Sequence, residues 1–442
     1  MDREMIVDIF AGGGGASLGI RMALGRGPDV VIDRDSAAVE MHRANHPETR
    51  HLCADVRDVV PHTVTEGRTV GLAWFSPPCT EFSPAKGGRP VRAEVQDLAW
   101  EVVRWAMDVR PRLVIVENVP GFRRWGPSGA DGRPDVSQSG ETYARWCDRL
   151  RASGYVVEGC ELRACDYGAP TIRRRWFVVA RRDGRPILWP RPTHGEPGNL
   201  FGLPPYRVAA ECIDWSRPCP SIFGRRRRFA KKTMCRIASG VRRHILESRD
   251  PFMRRLAPGG GVHVSIPGGS SVVGPGRQDL DLVSEFLSRY FRVAAGKCPR
   301  SSGSLPSADT SECGVRGGQG CLATHAISNL VVFLGTARAR CMREPFPTIL
   351  ARGSHHIGEL RTYIRECGDT VTGEARLGWV DMHGMRYAIE DIGLRVLTPR
   401  ELARAQGFPD DYVLTGGKTS QVARIGNSVC PPLAEALVAA NM

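Results

Sequence analysis

Short apolar runs alternate with stretches of helical periodicity all the way from Met5 to Arg182, and few folds accommodate that rhythm. The runs fall at residues 6–10, 30–32, 72–75, 113–116 and 176–180. Each is the length of one buried strand, and the spacers are long enough for crossover helices, which parallel pairing requires. The pattern therefore predicts a mostly parallel sheet covered by helices, an α/β fold of Rossmann-like type. Between the third and fourth runs, Leu98, Val102 and Trp105 recur at helical spacing and mark a helix stripe facing the core.

From about Pro190 the composition turns to proline, glycine, serine and arginine, and elements such as Pro204-Pro205 and Gly259-Gly260-Gly261 interrupt any long periodicity. Regular patterning returns near Gly378. Thr398-Pro399-Arg400-Glu401 has the form of a helix start with proline at its first position, and an Ala-rich amphipathic segment at 432–440 closes the chain. The predicted organisation is a first domain at 1–189, a smaller loop-rich domain at 190–377, and a return segment at 378–442 that completes the first. A length of 442 residues suits that division.

The hydrophobic content of 42% and charged content of 24% are those of a globular protein. A formal net charge of +14 favours a polyanionic partner, because each cation set against a phosphate releases condensed counterions. No apolar run reaches the roughly 18 residues of a membrane span, and the N-terminal residues lead straight into a strand-like segment, so a cytoplasmic protein without a membrane partner is expected. The fourteen cysteines include no Cys-x-x-Cys pair, which argues against a zinc site or a disulfide framework; no metal is expected.

Several short segments carry possible chemistry. Asp8-Ile9-Phe10-Ala11-Gly12-Gly13-Gly14-Gly15 joins a strand to a helix, and its glycines allow a ligand to approach the backbone closely. Asp33 and Asp35 end the second strand and Asp55 the third, where carboxylates can accept hydrogen bonds from ribose hydroxyls and an adenine amine. Ser76-Pro77-Pro78-Cys79-Thr80-Glu81-Phe82-Ser83 follows the strand at 72–75. Its prolines stiffen an extended backbone and hold the Cys79 thiol at the carboxyl edge of the sheet. An unperturbed thiol is only a few per cent ionised at pH 7, so such a nucleophile needs a helix N-terminus or a cation nearby. Glu117-Asn118 ends the very apolar strand at 113–116 on the same rim. In Thr171-Ile172-Arg173-Arg174-Arg175, strand alternation aims Arg173 and Arg175 one way and Arg174 the other. Farther on, the run from Arg225 through Arg228 to Lys231 and Lys232 leads into a helical stripe of Met234, Ile237, Val241 and Ile245, a basic surface suited to phosphates.

In this order, the Asp8-x-Phe10 glycine turn, Pro-Pro-Cys79, Glu117-Asn-Val, Arg173-x-Arg175 and Arg424-Ile-Gly-Asn-Ser-Val429 resemble the motifs of the cytosine-5 DNA methyltransferases. The resemblance covers roughly residues 4–182 and 376–442; Arg404-Ala-Gln-Gly-Phe-Pro409 and Glu344-Pro-Phe-Pro-Thr348 are similar to further family segments. It implies S-adenosylmethionine as cofactor, held by Phe10, Ala11, Gly12, Gly13, Gly14, Asp33, Asp55, Pro78, Asn427 and Ser428. Cys79 would attack C6 of a cytosine rotated out of double-stranded DNA, Glu117 would engage N3 and the exocyclic amine, and Arg173 and Arg175 would hold the base and the intermediate. Ser83 and Asn118, with Arg225, Arg228 and Lys231 from the second domain, would meet the substrate. A monomer is expected, with a restriction endonuclease of the same site as a possible companion.

The family usually has Glu where Asp33 stands and Gln where Thr80 and Thr171 stand; these departures alter pocket hydrogen bonding without removing a reacting group. Three other readings compete: the same chemistry on transfer RNA, a catalytically silent DNA-binding relative, and a nicotinamide-dependent oxidoreductase. The last lacks the dinucleotide glycine spacing.

Overall fold

The computed structural model describes residues 3–82, 92–129, 132–223, 225, 227, 229–256, 323–333, 339–351, 357–367 and 379–442. The chain divides into two compact units, one formed by Met1–Ile213, Glu344–Ser354 and Thr398–Met442, the other by Asp214–Arg343 and His355–Leu397.

The first unit is built on a seven-stranded sheet. Its strands are β1 (Met5–Ile9), β2 (Val30–Asp33), β3 (Arg50–Cys53), β4 (Val70–Phe75), β5 (Leu113–Asn118), β6 (Val156–Arg163) and β7 (Arg174–Arg181), in the order β3-β2-β1-β4-β5-β7-β6. All neighbours pair in parallel except β7, which runs antiparallel to both β5 and β6. The five runs read from the sequence lie in β1, β2, β4, β5 and β7, and they are apolar without interruption because both faces are covered, whereas β3 and β6 are partly exposed and carry polar residues. One face of β1, β4 and β5 presents Val7, Ile9, Ala73, Phe75, Val114 and Val116 to a core that includes Leu98, Val102 and Trp105. The other presents Ile6, Leu72, Trp74, Leu113 and Ile115 to a second core containing Ile20, Leu433 and Leu437.

Ile20 belongs to α1 (Gly15–Leu24), and Leu433 and Leu437 to the C-terminal helix Pro431–Asn441, which packs within the first unit. The helix Pro399–Ala405 opens as its sequence indicates: the Thr398 hydroxyl accepts from the Glu401 backbone N–H while the Glu401 carboxylate accepts from Thr398 N–H, a reciprocal cap. Among the described residues no helix is long and apolar enough to cross a membrane.

The border between units does not fall at Pro190. Residues beyond it stay on the first unit: Thr193 and His194 N–H donate to the Asp166 carbonyl, and Ala209 N–H donates to the Glu344 carbonyl. The change in composition at Pro190 marks the end of regular strands rather than the end of the unit. The 344–354 segment also belongs here, since Phe346 is fully buried and pairs with Thr171 in a parallel bridge.

The second unit is an antiparallel sheet of β8 (Met253–Arg255), β9 (His325–Val332), β10 (Arg340–Cys341), β11 (Ile357–Cys367), β12 (Trp379–Met382) and β13 (Met385–Val396). The helix Lys231–Val241 and the π-helical turn Arg242–Leu246 place Met234, Ile237, Val241 and Ile245 in its core, the stripe read from the sequence.

The approach of α1 to the C-terminal helix is set by Gly19, where a Cβ would lie 2.5 Å from Ala434 Cβ and 2.6 Å from the Pro431 carbonyl oxygen. Gly19→Val is expected to force these helices apart at a cost of about 1–3 kcal/mol, read as a lower midpoint in urea unfolding. An unchanged midpoint would show that this contact does not hold the return segment in place.

Candidate active site

Five parallel strands, β1 to β5, deliver their C-terminal ends to one cavity of about 240 Å³. It is lined by Phe10, Ala11, Gly12, Asp33 and Asp55 on one side and by Pro78, Cys79, Glu117, Arg173 and Arg175 on the other; Asn427 and Ser428 also reach it. Twelve residues assigned to cofactor or catalysis from the sequence thus line one cavity. Gly13 and Gly14 do not line it. Their place is explained by packing: a Cβ on Gly13 would come within 2.8 Å of Ser428 Oγ, and Gly14, at φ 82°, lies under the Tyr412 hydroxyl. Part of the glycine signal therefore serves the close seating of the C-terminal motif on the turn, a role its position in the sequence did not disclose.

At the cofactor-like end, Phe10 adopts φ 61°, a left-handed conformation that costs a side-chain-bearing residue roughly 1–2 kcal/mol. The Asp33 carboxylate accepts from Gly12 N–H at 2.8 Å and from Asp35 N–H at 2.8 Å, which fixes the turn against the end of β2. Burial nevertheless pushes the Asp33 carboxyl above its ordinary range. Asp55 is held to about 2, chiefly by Arg57, which binds it at 2.9 and 2.7 Å. Beneath the turn lies Asp8, the first residue of the motif, to which the sequence assigns no role. Asp8, fully buried and pushed up to about 7 by burial, accepts from Ser17 Oγ, which in turn contacts His42 Nε2 at 2.8 Å.

At the other end, the Cys79 loop is pinned where it leaves the sheet. Ser76 N–H donates to the Ile9 carbonyl at 3.0 Å, and Asn118 Nδ2 donates to the Pro77 carbonyl at 3.2 Å. Asn118 is fully buried, and its oxygen accepts from Val119 N–H. Its side chain thus braces the loop instead of facing the cavity. Arg173 and Arg175 flank Glu117 from the start of β7, while Arg174 turns outward to Glu161. Arg175 Nε lies 2.8 Å from Glu117 Oε1, but its N–H is not directed at that oxygen, which has no hydrogen-bond donor among the described residues. Arg173 is 2% exposed and donates to the Gly426 carbonyl at 2.8 Å. Its Nε is likewise unpartnered among the described residues, and burial brings its pKa down to about 10. A buried carboxylate oxygen and a buried guanidinium N–H that both lack a partner are groups awaiting a polar ligand.

The Cys79 thiol is raised above its ordinary value, first by burial, then against the opposing pull of Arg175, with Glu117 raising it further and Arg173 lowering it. Cations do stand beside the thiol, but desolvation prevails and keeps it protonated at neutral pH. Ser83 and Arg228 lie outside the described residues. Arg225 is exposed in the second unit, its guanidinium 4.4 Å from the Phe229 ring, and Lys231 begins the helix there.

The profile of the C-5 cytosine-specific DNA methylase family matches residues 5–201 and 341–441. The chain belongs to this family. It is 24% identical over 443 residues to the Type II methyltransferase M1.HphI of Haemophilus parahaemolyticus, with 98% of this chain and 85% of that one covered. Against the Type II methyltransferase M.AquIA of a Picosynechococcus strain it is 27% identical over 234 residues, 49% and 90% of the two chains. A solved putative DNA modification methyltransferase encoded within an E. coli prophage superposes with a TM-score of 0.51 at 18% identity, covering 99% of this chain and 98% of that one. DNMT2 of Spodoptera frugiperda gives 0.50 at 14%, covering 98% of each; these two likenesses establish the shared fold. The protein is an S-adenosylmethionine-dependent DNA (cytosine-5-)-methyltransferase, a class that works on a flipped-out base through a covalent cysteine adduct.

Because the Glu117 charge raises the thiol pKa and the Arg175 charge lowers it, the methyltransferase variants Glu117→Gln and Arg175→Ala should move it in opposite directions. The pH midpoint of Cys79 alkylation, followed by mass spectrometry of its peptide, is expected to fall in the first and rise in the second. A shift of the same sign in both would contradict this electrostatic arrangement.

Proposed function

We propose that Cys79 is the nucleophile that adds to C6 of cytosine in double-stranded DNA, with Glu117 at N3 and the exocyclic amine and with Arg173 and Arg175 around the base. The observation that carries this reading is the meeting, in one cavity, of a thiol, an undonated carboxylate oxygen and two guanidinium groups beside the glycine turn.

The chemistry follows from the resting electrostatics. The Glu117 charge, though paired with Arg175, opposes ionisation of the thiol. A base that hydrogen-bonds to that carboxylate offsets its charge, leaving Arg175 and Arg173 to favour the thiolate. The thiol loses its proton to solvent, the sulfur lone pair forms the S–C6 bond, and the C5–C6 π electrons move toward C5 and N3, where a proton carried by the Glu117 carboxyl is passed to N3. After C5 has gained its methyl group, loss of the C5 proton returns electrons to the ring and the S–C6 bond breaks, restoring the thiolate. Extruding the base costs a few kcal/mol, which contacts in the pocket repay.

S-adenosylmethionine fits the opposite end of the cavity. Each Asp33 oxygen accepts one backbone N–H and keeps a lone pair for ribose hydroxyls, whereas Asp55 Oδ1 accepts both Arg57 N–H and Nε–H and Oδ2 accepts Arg57 Nη2, which leaves a lone pair on Oδ2 for an adenine amine. Phe10, Ala11, Gly12, Pro78, Asn427 and Ser428 would complete the walls, with Gly13 and Gly14 setting the turn. When bound, the cofactor supplies an electrophilic methyl group on sulfonium.

The second unit is assigned to target recognition, with Arg225, Arg228 and Lys231 as phosphate contacts and Ser83 as a substrate contact from the Cys79 loop. The name Type II carried by the relatives supports a companion endonuclease of the same site. A monomer working on DNA in the cytoplasm of a bacterial cell or a phage-infected host is consistent with this role.

Transfer of tritiated methyl groups to duplex DNA and to transfer RNA, followed by bisulfite sequencing of the DNA, tests the reading. DNA is expected to be the labelled product, with label lost in Cys79→Ser and lowered by about 10²–10⁴-fold in Glu117→Gln. Transfer to RNA alone, or undiminished transfer by Cys79→Ser, would overturn it.

A further inference from the structure

A second cavity, of about 450 Å³, opens in the first unit and shares no residue with the catalytic one. Its lining comes from three separate segments of the chain. The turn Asp97–Trp100 and the residue before it supply Gln96, Asp97 and Trp100; Trp125 and two arginines of the helix Glu141–Ala152, Arg145 and Arg149, face them. Leu98, from the same turn, lines the catalytic cavity, so the two sites stand on opposite sides of one short segment.

Three features distinguish this cavity from an incidental surface dip. Gln96, only 9% exposed, lines the cavity and brings an amide that can both donate and accept. Trp100 and Trp125 lie with ring centroids 5.6 Å apart, and Trp125 is locked against Phe122 and Phe82, so the aromatic wall is rigid. Arg145 and Arg149 are one helical turn apart on the same face, where like charges repel. Among the described residues neither forms an ion pair, and Arg145 has only a 3.4 Å bond to Thr142 Oγ1.

A flat indole wall, a buried amide able both to donate and to accept, and two uncompensated guanidinium groups together define a ligand with a planar hydrogen-bonding ring and an anionic group. We propose that this cavity binds a nucleoside monophosphate unit: its base against Trp100 with the hydrogen-bonding edge at Gln96, its phosphate between Arg145 and Arg149. The Asp97 carboxylate suits the sugar hydroxyls. Arginine forks match phosphate oxygens, and a base stacks on an aromatic face whatever its identity. The unit can belong to a free nucleotide or to a nucleic-acid strand. The proposal is independent of the roles assigned to Cys79 and Glu117.

The test uses the full-length protein with its catalytic cavity filled by S-adenosylhomocysteine. 2-Aminopurine riboside 5′-monophosphate and a short single-stranded oligonucleotide containing 2-aminopurine are titrated separately, and stacking on indole is read as quenching. Saturable quenching of at least one probe is expected, weakened about tenfold or more in Trp100→Ala and in the exposed double variant Arg145→Ala/Arg149→Ala. Quenching of the monophosphate alone identifies a free nucleotide as the ligand, and tighter binding of the oligonucleotide identifies a strand. The arginine variants lie on the helix surface and keep the test open should Trp100→Ala fail to fold. Absence of saturable quenching with both probes, or quenching unaffected by the arginine substitutions, overturns the proposal.

Discussion

In an otherwise parallel sheet, β7 runs against β5, with Trp176 opposite Asn118 and Phe177 opposite Glu117, so the residues that lead into β7 stand at the edge where the parallel strands end. A parallel β7 would begin at the far edge of the sheet and carry Arg173 and Arg175 away from Cys79. The reversed strand instead places both guanidinium groups beside a carboxylate at the tip of β5 and a thiol just past the tip of β4. Side-chain alternation then does the sorting, sending Arg174 outward to Glu161 while its neighbours face the cavity.

What this edge achieves is a balance rather than a permanently ionised nucleophile. Burial raises the thiol, two cations pull it down, and one anion pushes it back up. A cysteine held as thiol at rest is spared adventitious alkylation and oxidation, which proceed through the thiolate. The anion in the balance is also the group positioned to meet the substrate, so occupancy of the cavity and activation of the sulfur are electrostatically linked. The scaffold that preserves these positions is packed without slack. Asn118 ties β5 to the Cys79 loop, and a Cβ on Gly15 would lie 2.1 Å from the Val429 carbonyl oxygen.

The first unit was legible because strands buried on both faces leave an unmistakable apolar record. Residues 72–75 and 113–116 read as strands for the same reason that Leu72, Trp74, Leu113 and Ile115 have no exposure. The cavity was legible because its reactive types stand at strand ends in a recognisable order. The sheet of the second unit was not. β11 carries Glu359, Arg361 and Arg365 between its apolar residues, and Glu359 is fully buried against Arg361 and Arg395 at 2.8 and 2.7 Å. In a linear sequence such internally compensated charges look like solvated loop. Pairing direction was likewise hidden: nothing in the residues of β7 states that it runs backward. Asn118 was expected at the substrate from its neighbour, yet strand alternation turns it inward. The cavity at Gln96 and Trp100 left no local signal, since its lining comes from three separate segments of the chain, around Gln96–Trp100, Trp125–Ser128 and Thr142–Arg149.

The most direct measurement is covalent capture. Duplex DNA carrying 5-fluorocytosine at the methylated position, incubated with the protein and S-adenosylmethionine, cannot lose a C5 proton and so should trap the adduct. A denaturation-resistant complex that mass spectrometry maps to Cys79, and that Cys79→Ser does not form, is the expected result. A complex mapping to another residue, or its absence when unsubstituted DNA is methylated normally, would contradict the placement of the reacting sulfur at the end of β4.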